Sequence, residues 1–408
     1  MRRLTTPTAR GLANLYVGTL ASGVGWAMVV PTLVLVSKVY EVSEGTAAQI
    51  VTAYALGKFL GIPGAGLFID RFGTRKLLVG GPALMALGAL GAAATPWFAP
   101  VLAAMLVVGV GDSLWALGRE VAGIDLVQPG QRGRALAAFH GTHSGGLALG
   151  PLAGGLLADT LGLRAVFIAF AIVTGAAVAL GLAAHDARAH HSAPATDAPP
   201  AARRGDGRLA ALRALFAQVP PGLRLTYWML VYATVAGFVF RITLQSVMPL
   251  YAGATLDLTA TQVGGLFSIS GVLVFAMILP AGFVLDKAGR KWATVPSTLL
   301  PGLAFLLVPF TDTYVQLAVL VGFMGIANGL SLGSLAASTY DILPQAVRGR
   351  LQAFRRTTAE VGGVGAPLLG GVLIDAYGPG VPFLVYGPFI ALGGLLLWFL
   401  AKETLTRT

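Results

Sequence analysis

Long apolar runs follow one another along almost the whole chain and leave few folds open to it. Each run has roughly 18 residues or more, enough for a helix to cross a hydrocarbon core about 30 Å thick. A soluble protein of 408 residues would need more charged side chains than the 11% present to cover its surface. Because lipid offers no hydrogen-bond partners to an open backbone, the runs predict membrane-spanning helices.

Twelve spans are predicted, six on each side of a segment rich in Pro, Ala, Arg and His. We predict an all-α membrane protein of two six-helix bundles, residues 1–184 and 225–408, joined by a cytoplasmic linker, residues 185–224. The first span is too long for a signal peptide. The spans cover residues 11–37, 47–68, 77–95, 99–126, 135–158, 164–184, 226–250, 261–285, 292–310, 315–340, 351–374 and 381–401.

The basic residues are concentrated on one side of the predicted membrane. Most of the 28 Lys and Arg residues fall at the termini or in the loops on that same side. The positive-inside rule therefore places both termini in the cytoplasm of a cell membrane, most simply a bacterial inner membrane. This topology accounts for the net charge of +11, so no nucleic-acid partner is predicted. The absence of cysteine excludes disulfides and thiolate metal sites.

Motifs recur in the two halves at a constant spacing of 216 residues. Three separate segments share this spacing, which is improbable by chance. The pattern predicts two copies of a six-helix unit in the same orientation, related by an axis along the membrane normal. The equivalent residues include Asp70 and Asp286, Asp125 and Asp341, Pro151 and Pro367, and Asp159 and Asp375.

The loop after the second span reads Gly-Leu-Phe-Ile-Asp-Arg-Phe-Gly-Thr-Arg-Lys over residues 66–76. It resembles the signature loop of the major facilitator superfamily of secondary transporters, except that Thr74 stands where the family usually has Arg. The resemblance implies a cytoplasmic latch between the two halves. Alternatively, the loop serves only to fix the topology. The residues that the resemblance assigns to the latch are Asp70, Arg71, Arg75, Asp125, Asp286, Arg290 and Asp341.

The fifth span carries Gly-x-x-x-Gly-Pro-x-x-Gly-Gly, formed by Gly146, Gly150, Pro151, Gly154 and Gly155. This motif is similar to the one that marks the antiporter branches of the superfamily, especially drug/proton exporters. Glycines permit close helix packing, and proline removes a backbone donor. Two features differ from those exporters: Met105 occupies the usual arginine position of the fourth span, and the first span has no acid.

Ionisable residues inside spans are costly, so they indicate function by default. The substrate-binding candidates are Arg241, Lys58, Asp112 and Asn328, and the proton-coupling candidates are Glu360, Asp112 and Glu120. Arg241 is the favoured substrate contact and Glu360 the favoured proton carrier. Alternatively, Lys58 and Asp112 form a structural ion pair. His140 and His143 share a helix face, but two ligands alone are weak evidence for a metal.

Together these features predict a monomeric secondary transporter that works by alternating access, without cofactor or metal. Its partners would be the lipid bilayer, protons and a small molecule, exported as an amphipathic or weakly acidic compound. Proton-coupled uptake of an organic anion and a non-transporting, receptor-like role remain alternatives. An enzyme is not predicted, because the chain has no HExxH, GxxxxGK or GxGxxG motif.

Overall fold

The computed structural model describes residues 6–127, 132–183, 215–331 and 333–404, and each regular element in these ranges is helical. Each predicted span corresponds to one helix, four of which consist of two segments. The helices are α1 (Thr6–Val29 and Leu33–Tyr40), α2 (Glu44–Phe72), α3 (Thr74–Ala94), α4 (Phe98–Asp125), α5 (Arg132–Leu161), α6 (Leu163–Ala183), α7 (Arg224–Ser246 and Met248–Leu256), α8 (Ala260–Ala276 and Ile278–Phe283), α9 (Arg290–Leu307), α10 (Tyr314–Ser331 and Ser334–Ile342), α11 (Gln345–Tyr377) and α12 (Val381–Leu400).

The helices form two six-helix bundles, α1–α6 and α7–α12, as the all-α membrane fold requires. Within the described residues, 9 helices are long and apolar enough to cross a membrane by themselves. The other three are α2, α5 and α8, which pack against the opposite bundle and are rich in glycine. The first segment of α8, Ala260–Ala276, is apolar but too short to be counted as a full span. Most of the linker predicted at residues 185–224 lies outside the described residues, so its boundaries stay a prediction.

Proline accompanies the breaks in the first helix of each bundle. A 3-10 turn at Val30–Thr32, with Pro31 at its start, separates the two segments of α1. In α7 the break falls at Val247, and Pro249 lies in the first turn of the following segment. Proline cannot donate the backbone hydrogen bond that would continue the helix, so α1 and α7 each consist of two segments.

The ends of α2 and α8 show the sequence repeat in three dimensions. Ser43 caps the start of α2, and Thr259, 216 residues later, caps α8 through a capping box with Gln262. At the other end, α2 stops at Gly73 with φ 78°, and the π-helical turn that follows α8, Val284–Ala288, stops at Gly289 with φ 128°. A residue with a Cβ would be strained at these angles, so glycine ends both helices.

Two helix pairs, α5 with α8 and α2 with α11, form most of the contact between the bundles. Helices α4 and α10 instead pack against helices of their own bundle. We call the side on which α1 begins and α12 ends the inner face, and the opposite side the outer face, following the predicted topology.

Candidate functional site

The glycine motif of α5 brings this helix against α1. A Cβ on Gly146 would lie 2.5 Å from the carbonyl oxygen of Leu20, and one on Gly150 would lie 2.6 Å from that of Val24. A Cβ on Gly154 would come closer still to the carbonyl oxygen of Met28. These spacings of four residues on both helices place one backbone ridge against the other, so only glycine fits.

A second face of the same motif packs on α8 across the bundle interface. Gly264 lies against the carbonyl of Pro151, and Gly271 lies against Ala148. At the outer end, Gly155 meets the backbone of Ala260. The motif therefore holds α5 between α1 of its own bundle and α8 of the other, beside a central cavity.

The cavity between the bundles has a volume of about 120 Å³ and a mostly apolar lining. Its wall is built mainly from α1, α5, α7 and α8, with one polar residue from α10. A mostly apolar pocket with a few polar groups is the usual form of a small-molecule site. The lining residues are Trp26, Ala27, Val30, Ser144, Leu147, Pro151, Arg241, Leu244, Gln245, Phe267, Ser270, Gly271, Val274 and Asn328.

Arg241 supplies a positive charge to the cavity wall. Its guanidinium lies over the ring of Phe238, 4.6 Å from the centroid, and Glu360 of α11 is near enough to attract it electrostatically. Glu360 is also 3.9 Å from Arg356, whose side chain is largely exposed. The structure therefore brings together two sequence candidates, Arg241 and Glu360, and places Asn328 on the same wall.

Lys58 and Asp112 form the ion pair that the sequence left open. The Lys58 ammonium is 2.8 Å from Asp112 Oδ2, and the hydroxyl of Tyr54 donates to the same oxygen over 2.8 Å. The second carboxylate oxygen accepts a hydrogen bond of 3.2 Å from Ser22. Asp112 is 4% exposed, so its charge is balanced by Lys58 inside the first bundle.

Arg119 joins this cluster through a bridging side chain. Asp112 and Arg119 are seven residues apart on α4, about two helical turns, and they are connected through Ser22. Arg119 donates to the hydroxyl of Ser22 over 3.3 Å and to the carbonyl of Gly18 over 3.2 Å. Its guanidinium also lies 4.2 Å from the centroid of Trp115. Arg119 is therefore part of the structural core of the first bundle.

Trp26 connects the ion-pair cluster to the cavity. Its ring stacks on Tyr54 at 3.5 Å between centroids with an angle of 10° between planes. Its indole N–H donates to Gln245 of α7 over 3.2 Å, so this hydrogen bond crosses between the bundles. Gln245 lies one helical turn beyond Arg241, on the cavity wall.

Sequence reasoning missed four residues of this site: Ser22, Trp26, Tyr54 and Gln245. One signal was available for Tyr54, which precedes Lys58 by one helical turn. The others contact partners on distant helices, and no local spacing marks them. Glu120, the remaining proton-coupling candidate, lies exposed on α4 next to buried Arg119.

The predicted latch residues are only partly described. Arg71 is exposed beside Phe72, and Arg75 donates to the carbonyl of Leu182 over 3.2 Å. In the second bundle, Arg290 pairs with Asp341 at 2.9 Å. The side chains of the other three latch candidates, Asp70, Asp125 and Asp286, lie outside the described residues, so the latch stays a prediction. The side chain of His140 also lies outside them.

Known proteins resemble the chain over almost its full length. The Major Facilitator Superfamily model matches residues 15–277 and 229–408. The multidrug resistance protein MdtG of Dickeya zeae is 26% identical over 97% of this chain and 96% of its own length. Multidrug resistance protein 2 of Bacillus subtilis is 23% identical over 96% and 94%.

Solved structures share the fold. A D-xylose-proton symporter aligns with a TM-score of 0.74 and 17% identity, over 97% of this chain and 98% of its own. A POT family transporter in complex with 5-aminolevulinic acid aligns with a TM-score of 0.76 and 13% identity, over 95% of each chain. The folded helices, the repeat and the family match lead to one conclusion: the chain belongs to the major facilitator superfamily and is a secondary transporter, not an enzyme.

Proposed function

We propose that the chain exports small amphipathic compounds in exchange for protons. The observation that carries this proposal is the mostly apolar cavity between the bundles, with Arg241 and Asn328 on its wall and Glu360 close to Arg241. Apolar walls favour a hydrophobic body, and a few polar groups orient it. The glycine motif of α5 and the full-length similarity to multidrug resistance proteins support the direction of transport.

Glu360 provides a means of coupling. In an exchanger, substrate and proton must bind to alternative states of the same carrier. A cationic compound binds best while Glu360 is ionised, because the ionised carboxylate attracts the positive charge of the compound and balances Arg241. A proton that arrives on Glu360 from the outer side removes this attraction and releases the compound.

A second candidate function rests on the same two residues. An anionic substrate competes with ionised Glu360 for Arg241, so it binds best after Glu360 has taken up a proton. Substrate and proton then travel together, which describes proton-coupled uptake of an organic anion. A weak acid would follow this second route when it binds in its ionised form.

Binding and flux at two pH values distinguish the candidates. The purified protein is reconstituted in liposomes, and a lipophilic cationic dye and an aromatic carboxylate are tested with Glu360→Gln as the matched variant. If the chain exchanges its substrate for protons, a lower pH should weaken binding of the dye, and a pH gradient should drive the dye in the direction opposite to the protons. Uptake predicts that acid strengthens carboxylate binding. No flux of either probe, with a pH-independent response, would support the receptor-like alternative.

A further inference from the structure

Two carboxylates at the outer face connect the bundles. Asp159, at the end of α5, accepts hydrogen bonds from the backbone N–H groups of Ala260 (3.2 Å) and Thr261 (2.7 Å) at the start of α8. Asp375, at the end of α11, accepts from the N–H of Gly45 (2.9 Å) at the start of α2. Both contacts cross between the bundles.

The two contacts are related by the sequence repeat. Asp159 and Asp375 are 216 residues apart, and so are Gly45 and Thr261. The hydroxyl of Ser43 also donates to Asp375 over 2.8 Å. Both helix pairs between the bundles thus have the same kind of contact at the outer face. Each bundle supplies one carboxylate and one helix start.

Physical chemistry favours these partners. The first N–H groups of a helix have no acceptor within the helix, and the helix start carries a partial positive charge. A carboxylate that accepts one or two of these N–H groups makes charge-assisted hydrogen bonds. Asp159 and Asp375 are themselves exposed, so water can replace these contacts when the bundles separate.

Glycine brings the backbones close enough for these bonds. Gly155 lies against the carbonyl of Ala260, and Gly371 lies against that of Gly45, where a Cβ would overlap. The two glycines are again equivalent in the repeat. At the outer face, therefore, backbone contact and carboxylate caps occur together on both helix pairs.

We propose that Asp159 and Asp375 are positioning residues that form a paired outer gate. Their bonds to α8 and α2 hold the outer ends of the bundles together in the conformation described here. When these bonds break, the outer side opens and the cavity becomes accessible from that side. Transport then depends on repeated making and breaking of both caps, although neither residue touches the substrate.

Thiol labelling from each side of the membrane tests the gate, because the chain has no cysteine of its own. Ser270, which lines the cavity, is changed to Cys as the reporter. Asp159→Asn and Asp375→Asn are then added singly and together. An impermeant maleimide is applied to intact cells and to inverted vesicles. We expect several-fold faster labelling from outside, slower labelling from inside, and the largest shift in the double variant.

Asp312→Asn is the matched control, since Asp312 is exposed at the outer face between α9 and α10. It should leave both labelling rates unchanged. The proposal is overturned if the Asp159 and Asp375 variants label like the reporter alone or like this control. Faster labelling from both sides would also count against it, because that result means general loosening of the bundles rather than a shift between two conformations.

Discussion

Arg241 is the charged side chain among the described residues that line the cavity. Its guanidinium stays ionised at any pH that a cell reaches, so it can attract a substrate but cannot carry the coupling proton. Lys58, the other cation suggested by the sequence, is paired with Asp112. These two facts separate the charged groups: Arg241 lies on the cavity wall near Glu360, and Lys58 pairs with Asp112 inside the first bundle.

Replacement of Arg241 separates substrate classes. Arg241→Ala should weaken binding of an aromatic carboxylate about tenfold or more, because a hydrogen bond to a charged group contributes roughly 1.5–3 kcal/mol. Binding of a neutral amphipathic compound should change little. Equilibrium binding to the purified protein provides the measurement, with exposed Arg164→Ala as the control. Equal losses for both ligands would show that Arg241 shapes the cavity rather than selecting the charge.

Replacement of Glu360 tests the proton carrier. Glu360→Gln keeps the size of the side chain but cannot ionise, so a pH gradient should no longer drive accumulation. Exchange of labelled for unlabelled substrate, which needs no proton, should continue. Both rates are measured in the same reconstituted vesicles. Persistent accumulation under a pH gradient would exclude Glu360 and leave Glu120, exposed on α4, as the next candidate.

A double-variant cycle tests the ion pair. Lys58→Met or Asp112→Asn alone leaves a charged group without its partner, which should cost about 1–3 kcal/mol of stability. The double variant should be less unstable than the sum of the two single losses, since it buries no unpaired charge. Thermal unfolding of the purified protein in detergent measures this difference. Additive losses would mean that the two charges act independently.

Helices α5 and α1 depend on direct backbone contact. Gly154→Ala places a Cβ into the backbone of Met28, and overpacking of this kind should cost about 1–3 kcal/mol. The matched control is Gly175→Ala in α6, where the new Cβ meets open space. There the substitution should be neutral or slightly stabilising, because alanine favours a helix by roughly 0.5–1 kcal/mol. Thermal unfolding compares the two, and equal melting temperatures would refute the packing role.

Some properties of the elements could be predicted from the sequence and others could not. Hydropathy and the 216-residue spacing predicted the helices, their number and the repeated motif around Pro151, because these depend on local composition. The breaks after Val29 and at Val247 were not predicted, although Pro31 and Pro249 mark their places. Hydropathy gives the average apolar character of a segment, so it does not show where a helix breaks within a long apolar run.

Contacts between distant helices were harder to predict. The repeat singled out Asp159 and Asp375, but it gave no indication of their partners at the starts of α8 and α2. Ser22 was likewise invisible, since one serine among apolar neighbours is common in membrane helices. Its role appears only when α1 and α4 come together and it lies between Asp112 and Arg119.

At the scale of the whole molecule, the assignment of the inner and outer faces rests on the distribution of basic residues. We expect Thr313→Cys, in the loop before α10, to react with an impermeant thiol reagent applied outside intact cells. Thr74→Cys, at the start of α3, should react only after permeabilisation. Ser43 is a poorer outer position, because its hydroxyl contacts Asp375. The reverse pattern of labelling would invert the assignment of inner and outer faces.

Helices α5 and α8 meet through backbone atoms and small side chains, with Gly264 and Gly271 lying against their neighbour. Where large side chains interlock, one helix cannot slide on another until rotamers change and dense packing is lost. Here no bulky group has to withdraw at these two contacts, so we expect them to offer little resistance to movement of one bundle on the other. We therefore expect hydrogen bonds that cross between the bundles, such as that of Trp26 with Gln245, to contribute most to the kinetic barrier to rocking. Turnover can accordingly be tuned by single polar substitutions that leave the interface itself intact.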